Sequence, residues 1–565
     1  MKTTVKFYVA LSAETSENTL DIYSFFFMNN KTLSRVQARM NLSVESISKG
    51  KTMNGAEILL KTAAQAGVEI CFTNPGTTEL PLVAAFDKIP SIRPVLGLFE
   101  GCCAGGADGY GRMTGNPAMT LFHLGPGLGN ALANLHNARR ARTPVFNVIG
   151  DHATWHRDAD APLTMDIASL ATVVSGWTRT ANAANSLSRD TAEALTAAGQ
   201  GMGATLILPQ DVQWADLLDP NIISIAPRVE ATNRDAVEKA ARLLKNKNRC
   251  VIILGGSALR QKGLEHASRI AEIAGCSLLS ETFPAHMERG RGLPALPRIP
   301  YAPDIAYKQL AAFDTIILAG AQEPVAFFGY QGGRSRLIED AGKVITLADS
   351  PIDAAVALEH LAAAVDAPPY RSNPDGNKEM PSLPQGALDA KKASLVLAAL
   401  QPENAIIVDE SITSAAGYYK YTAAAPRFSL LTLTGGAIGM GLPCAIGAAL
   451  ACPERPVIDF QADGSAMYTI QALWTQVRES LNITTLLCAN RSYKILEVEF
   501  QRAENRPAEQ SALSLMTLNR PDIDWVAMSR GMGVPACAVD TAEELTDALT
   551  RALAEPGPHL IQVNL

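Results

Sequence analysis

The chain has 565 residues, 47% hydrophobic and 19% charged, with a net charge of −7 from 49 Lys and Arg against 56 Asp and Glu. At roughly 100–200 residues per domain, that length predicts three or four compact units, and the ordinary composition excludes a wholly disordered chain. The acidic balance argues against nucleic acid as the main partner, and no apolar run approaches the roughly 18–20 residues that span a bilayer.

Residues 1–52 are rich in Ser, Thr and Asn and show no periodicity, so they read as a poorly ordered N-terminal extension. Lys2 and Lys6 ahead of the short apolar stretch 7–11 give only a faint signal-peptide pattern. From Met53 onward Ala56, Ile58, Leu59, Leu60 and Ala63 recur at helical spacing. Across 53–225 short apolar runs at 69–73, 95–99, 118–123, 145–149 and 204–208 alternate with helical stretches, which predicts a mostly parallel sheet covered by helices. A second unit is expected over 226–366, with strands at 250–254, 315–319 and 343–347. The Pro-, Asn- and Gly-containing stretch 367–386 reads as a linker. A third βα unit over 387–565 has strands at 405–408, 457–460, 484–489 and 559–563. The expected class is α/β, with three doubly wound parallel-sheet domains, and the first and third units share a rhythm as a duplication would leave it. The nine cysteines are scattered, with no CxxC pair and no zinc spacing, which fits free thiols in a reducing compartment and hence the cytoplasm.

The strongest chemical signal lies in the third unit. The 457–460 strand runs into Gln461-Ala462-Asp463-Gly464-Ser465, and the 484–489 strand ends at Asn490-Arg491-Ser492. Both Asp463 and Asn490 fall at carboxyl ends of parallel strands, where open α/β sheets bind ligands. A carboxylate and a side-chain amide are hard oxygen donors that suit Mg²⁺ sharing its shell with phosphate oxygens. Gly464 permits close approach of a phosphate, and Ser465 is placed to start the next helix. Taken alone, Asp463-Gly464-Ser465 is also an ordinary βα turn.

Asp-Gly-Ser followed 27 residues later by Asn resembles the signature of thiamine-diphosphate enzymes, in particular the acetolactate synthase, benzoylformate decarboxylase and pyruvate decarboxylase group. The resemblance covers Met53 to Leu565 and implies pyrimidine-binding, central and diphosphate-binding domains in that order. It implies thiamine diphosphate and Mg²⁺ as cofactors, with Asp463 and Asn490 binding the metal by side chain and Ser492 by its carbonyl. Ala462 departs from the family's usual Gly, removing the freedom to take positive φ. Glu100, followed by the small-residue run 101–111, resembles the family's catalytic glutamate, which activates the cofactor ring; burial and a shared proton would raise its pKa. The run 434–443 resembles the cofactor-bending loop, with Ile438 as the apolar wedge and the Gly436 carbonyl as an acceptor. Thr413, after Asp409-Glu410, resembles the diphosphate-side loop.

Asn74-Pro75-Gly76-Thr77 is similar to a benzoylformate decarboxylase turn whose Ser binds the substrate carboxylate; Thr77 keeps that hydroxyl, or caps a helix. His123 falls where benzoylformate decarboxylase has a catalytic His, whereas Gly125-Pro126-Gly127 resembles acetolactate synthases. Both relatives commonly have Gln where this chain has Asp151, and Asp151, His152 and His156 form either an acid–base set or a surface loop. The second catalytic His of the decarboxylase has no counterpart near Phe327-Phe328-Gly329-Tyr330-Gln331. Gly255-Gly256-Ser257 lacks the GxGxxG pattern and reads as a plain turn more readily than as a nucleotide loop. The resemblance thus implies a 2-oxo acid substrate, non-oxidative decarboxylation and/or carboligation, and a homodimer or homotetramer. The alternatives are acetolactate synthase proper, an FAD-dependent oxidase of the same fold, and a non-catalytic paralogue.

Overall fold

Parallel sheets covered on both faces need strands that are apolar throughout, and the central strands of this chain meet that need. The computed structural model describes residues 52–225, 231–246, 249–372, 380–415 and 417–565. Residues 1–51 of the expected extension, 226–230 at the expected start of the second unit, and 373–379 of the expected linker lie outside the described residues.

The first sheet comprises β1 (Ile70–Asn74), β2 (Arg93–Leu96), β3 (Ala118–His123), β4 (Val145–Asp151), β5 (Trp177–Thr180) and β6 (Ala204–Pro209). Their order is β2-β1-β3-β4-β6-β5, all parallel. The second comprises β7 (Cys250–Leu254), β8 (Ser277–Ser280), β10 (Thr315–Ala319) and β11 (Val344–Ala348), in the parallel order β8-β7-β10-β11. Between β8 and β10 the short strand β9 (Met287–Arg289) leaves this sheet and pairs antiparallel with the third. The third sheet adds β12 (Ala405–Glu410), β13 (Phe428–Thr432), β14 (Val457–Ala462), β15 (Ile483–Ala489), β16 (Ala536–Val539) and β17 (His559–Asn564), in the order β9-β13-β12-β14-β15-β17-β16.

Three helices position the site: α1 (Glu100–Thr114), α2 (Leu124–Ala141) and α3 (Gly441–Ala451). α1 and α3 are rich in Gly, Ala and Cys; the glycines weaken a helix while the alanines favour it, and all three are small enough for two helices to touch. A methyl built on Gly447 would lie 1.9 Å from the Gly106 carbonyl oxygen, and one on Gly109 would lie 2.1 Å from that of Cys444. The two backbones therefore cross in direct contact. One continuous core runs through this crossing, from Phe72 and Val95 beside the first sheet to Ile446, Ile483 and Trp525 beside the third. Buried Arg112 on α1 forms an ion pair with Asp108 at 2.6 Å and donates to the carbonyls of Thr432 at 2.7 Å and Ala285 at 3.3 Å. That side chain joins all three regions, and removing one member of such a buried pair costs about 3–5 kcal/mol.

Candidate active site

The metal-type residues converge as the strand ends dictate. Asp463 directly follows β14 and Asn490 directly follows β15, which pairs with it in parallel register. The Asp463 carboxylate is buried; Oδ1 accepts from the Gly464 amide at 2.8 Å and Oδ2 from the Arg491 amide at 2.7 Å. Burial pushes its pKa above the ordinary carboxylate value, against the pull of those two amides. Asn490 Oδ1 accepts from the Ser492 amide at 3.0 Å. The backbone ladder here uses the Arg491 carbonyl and the Tyr493 amide, so it passes over the Ser492 carbonyl. Asp463–Ala466 is a single helical turn with Ala462 at its N-cap, so Ser465 lies inside the turn rather than starting a helix. The Gly464 amide is taken by Asp463, and a Cβ on Gly464 would strike the Tyr493 ring at 2.4 Å. Glycine is required there by the ring of Tyr493. Ala462 has φ of −95°, so the replacement of the family's Gly meets no strain.

The glycine-rich loop is held from several sides. Asn137 Nδ2 donates to the Ala437 carbonyl at 2.7 Å, Asn134 Nδ2 to that of Gly439 at 3.0 Å, and Thr469 Oγ1 to the same oxygen at 3.0 Å. His136 Nε2 lies 3.1 Å from the Gly435 carbonyl. Gly439 has φ of +99°, and any Cβ there would meet Tyr468 at 2.7 Å. Ile438 packs against the shared core while staying partly exposed. Gly436 is exposed, and the Phe327 ring stands over it, 3.1 Å from where its Cβ would be. An apolar ring from the central region therefore covers this part of the loop. Thr413 is half-buried in the turn that follows β12.

On the first sheet the expected strand 95–99 stops at Leu96, and Glu100 opens α1 rather than ending a strand. Its carboxylate accepts from Asn130 Nδ2 at 3.0 Å. It is only half-buried within one chain, not buried as expected. His123 ends β3, and its Nδ1 lies 2.9 Å from Oε2 of Glu79, a fully buried carboxylate. Thr78 donates to the same carboxylate and lies 3.1 Å from that ring nitrogen, while the Gly76 amide donates to Glu79 at 2.8 Å. Two glycines make room for this pair: a Cβ on Gly76 would enter the His123 ring, and one on Gly150 would lie 1.7 Å from Glu79 Oε1. His123 is thus oriented by a carboxylate at Nδ1, which leaves Nε2 to handle a proton. Thr77 is exposed and is not a helix cap, since Gly76 occupies the N-cap position.

Asp151, His152 and His156 do not assemble into an acid–base set. Asp151 pairs with Arg157 at 2.7 Å and accepts from the His152 amide, while the two imidazoles meet edge-on at 5.2 Å between centroids. In the central region Ser257 donates to Asp353 at 2.7 Å, and a Cβ on Gly255 would strike the backbone at Gly320 and Ala321. That arrangement is a βα turn closed on its own chain.

The family models for the thiamine pyrophosphate enzyme N-terminal and C-terminal TPP binding domains match residues 53–170 and 411–563. The Mycobacterium tuberculosis protein IlvX, named as an acetolactate synthase large subunit, is 48% identical over 514 residues, covering 90% of this chain and 99% of its own. The chain belongs to the thiamine pyrophosphate enzyme family. The benzoylformate decarboxylase of Pseudomonas aeruginosa is 29% identical over 88% of this chain and 96% of its own. The solved Rhodococcus jostii thiamine-diphosphate-dependent 4-hydroxybenzoylformate decarboxylase is 26% identical, with a TM-score of 0.77 over 91% of this chain and 99% of that one.

The donor set fits what the family carries. The described residues contain no cluster of three or more His, Cys, Asp or Glu able to hold a metal. A carboxylate, an amide oxygen and a carbonyl instead suit an ion that completes its shell from a diphosphate. The family signature left Glu79, Asn134, Asn137 and Glu410 unmarked. Glu79 stood in plain view two residues after Thr77, but nothing in the sequence paired it with a histidine 44 positions on.

Proposed function

We propose that this chain is an Mg²⁺- and thiamine-diphosphate-dependent enzyme that decarboxylates a 2-oxo acid without oxidation and then releases an aldehyde or joins the fragment to a second carbonyl. The cofactor would supply an electron sink for the electron pair left when CO₂ departs. In this reading Asp463, Asn490 and the Ser492 carbonyl hold the metal. Ile438 would support the cofactor as an apolar wedge, and the Gly436 carbonyl would offer it an acceptor. Glu100 would hold the proton that activates the cofactor ring. Thr77 offers its hydroxyl to the substrate carboxylate, and His123 delivers or removes a proton at the reacting carbon through Nε2, with Glu79 fixing its tautomer.

The observation that carries the proposal is the Glu79–His123 pair at 2.9 Å on the same strand-end edge of the first sheet as Glu100. It favours protonation, and hence aldehyde release. Phe327 over Gly436 supports the carboligating reading as well, because an apolar wall protects a carbanion from premature protonation. The turn at Ser257 offers nothing to an FAD-dependent oxidase. Glu100 is only half-buried in the single chain, and Leu98 beside it is exposed. Both observations support a site completed by a second copy, in a homodimer or homotetramer. All nine cysteines are free, which suits a cytoplasmic location, and no helix among the described residues is long and apolar enough to cross a membrane.

The test is a panel of 2-oxo acids with thiamine diphosphate and Mg²⁺, assaying CO₂, aldehyde and acyloin separately. Glu100→Gln is expected to bind the cofactor as the parent does while losing about 10²–10⁴-fold in turnover. Full activity in that variant refutes the assignment.

A further inference from the structure

The third sheet buries two carboxyl groups that the chemistry above leaves unused. Glu410 ends β12, and Asp459 lies in the neighbouring strand β14; both are fully buried. Asp459 and Gln461 point to the same face of β14, because strand side chains alternate. That face meets the entry to α3: a Cβ on Gly441 would lie 2.4 Å from Gln461 Nε2, 2.8 Å from Asp459 Oδ1 and 3.1 Å from Glu410 Cβ.

The two carboxyls have opposite surroundings. Glu410 Oε1 accepts from the Gly439 and Met440 amides at 2.8 and 2.9 Å. Its Oε2 accepts from the Gly441 amide at 2.7 Å and from Gln461 Nε2 at 3.0 Å. Three successive amides, linking the Ile438 segment to the first turn of α3, thus converge on one carboxylate. Helix-entry amides are donors without partners in the helix, and they carry the positive end of its dipole. Neither oxygen of Asp459 has a hydrogen-bond partner among the described residues.

We propose that Glu410 is the positioning residue that sets the cofactor-bending loop, and that Asp459 beside it stays a neutral acid so that the buried pair carries a single negative charge. The proposal rests on the cofactor reading above for its consequence but not for its geometry. Two ionised carboxylates cannot share a dry site cheaply, so one proton stays. Burial raises the Glu410 carboxyl as well, but its four donors pull it back down whereas Asp459 has none among the described residues, so Glu410 is the one that keeps its charge. Burial, followed by the charges of Glu410 and Asp409, holds the Asp459 carboxyl well above its ordinary range. The other groups facing the pair do not supply a compensating cation. Asp409 lies on β12 and Cys444 on α3, and beyond Cys444 the charge of Arg112 is already met by Asp108 on α1. As pH rises, loss of the Asp459 proton places a second negative charge beside Glu410 and loosens the Gly439–Gly441 amides, and with them Ile438.

The primary test is amide hydrogen exchange over residues 434–443 of the cofactor-free full chain, corrected for the intrinsic rise of exchange with pH. The second is thiamine diphosphate affinity by calorimetry with Mg²⁺ present. Glu410→Gln is expected to speed exchange at Gly439, Met440 and Gly441 at least tenfold and to weaken cofactor binding at least tenfold, with Glu410→Asp restoring part of both. In the parent, protection of these amides is expected to fall at alkaline pH; in the isosteric Asp459→Asn variant it is expected to persist there. Parent-like protection in Glu410→Gln, or an unchanged alkaline loss in Asp459→Asn, overturns the proposal. Should Glu410→Gln not fold, the Asp459→Asn comparison alone decides. Because exchange is read without cofactor, a parent chain that binds no thiamine diphosphate would sink the functional reading and leave this result standing.

Discussion

The first and third sheets are built on one plan and carry different chemistry. Setting aside the added strand β9, their orders match position for position: β2-β1-β3-β4-β6-β5 against β13-β12-β14-β15-β17-β16. The third strand of each series ends at His123 in one and meets Asp463 in the other. The fourth ends at Asp151 in one and meets Asn490 in the other. After the first strand of each series, β2 opens a small-residue helix with Glu100, and β13 leads through the glycine loop into α3. The frame is common and the function sits in what is grafted on the strand ends. In the proposed function, proton-carrying groups sit on the first sheet, and metal and backbone donors on the third.

That division is open to direct attack. The largest expected effect is on the third sheet: Asp463→Ala should lower thiamine diphosphate affinity in the presence of Mg²⁺ by on the order of 100-fold or more, measured by calorimetry. If turnover falls instead with affinity intact, the two sheets do not divide the work as described. On the first sheet the reverse is expected, with His123→Ala losing about 10²–10³-fold in kcat at nearly unchanged cofactor affinity. Glu79→Gln should cost less, roughly tenfold in kcat, since the carboxylate that orients the His123 ring at Nδ1 is gone while its shape is kept; an unchanged kcat would make Glu79 a packing residue. Gly447→Ala probes the crossing that joins the two sheets. Its methyl is driven into the Gly106 carbonyl, so thermal unfolding should show a loss of about 1–3 kcal/mol.

The smallest effect lies outside both sheets. Burial pushes the Glu281 carboxyl, in the central region, up to about 8. A carboxyl raised in the folded state favours folding below its unfolded value of about 4.3, and that contribution is lost as pH climbs toward the folded value. Glu281→Gln should therefore melt a few degrees above the parent at pH 8, with the two converging near pH 4.

Much of this architecture was legible in the sequence because buried parallel strands announce themselves as apolar runs. The stretches 118–123, 250–254 and 315–319 coincide with β3, β7 and β10. Edge strands escaped notice: Trp177–Thr180 alternates an aromatic with Thr and Arg, and Ala536–Val539 is too short to stand out. β9 was invisible for another reason, since it leaves the sheet of its neighbours in sequence for a partner more than 130 positions away, a purely tertiary choice. The same contrast holds at the site. Asp463 and Asn490 were readable because one βαβ unit contains both. The Glu79–His123 pair spans 44 positions, and the supports from Asn134 and Asn137 reach about 300 residues along the chain. No local pattern encodes such partners.

The meeting of Gly106 with Gly447 and of Gly109 with Cys444 gives the protein a gauge that side chains cannot adjust. At these points peptide thickness sets how far apart the two halves of one chain stand. Loops at the strand ends can be rewritten for a new substrate without recalibrating that span, whereas a single methyl at the crossing would alter every loop at once.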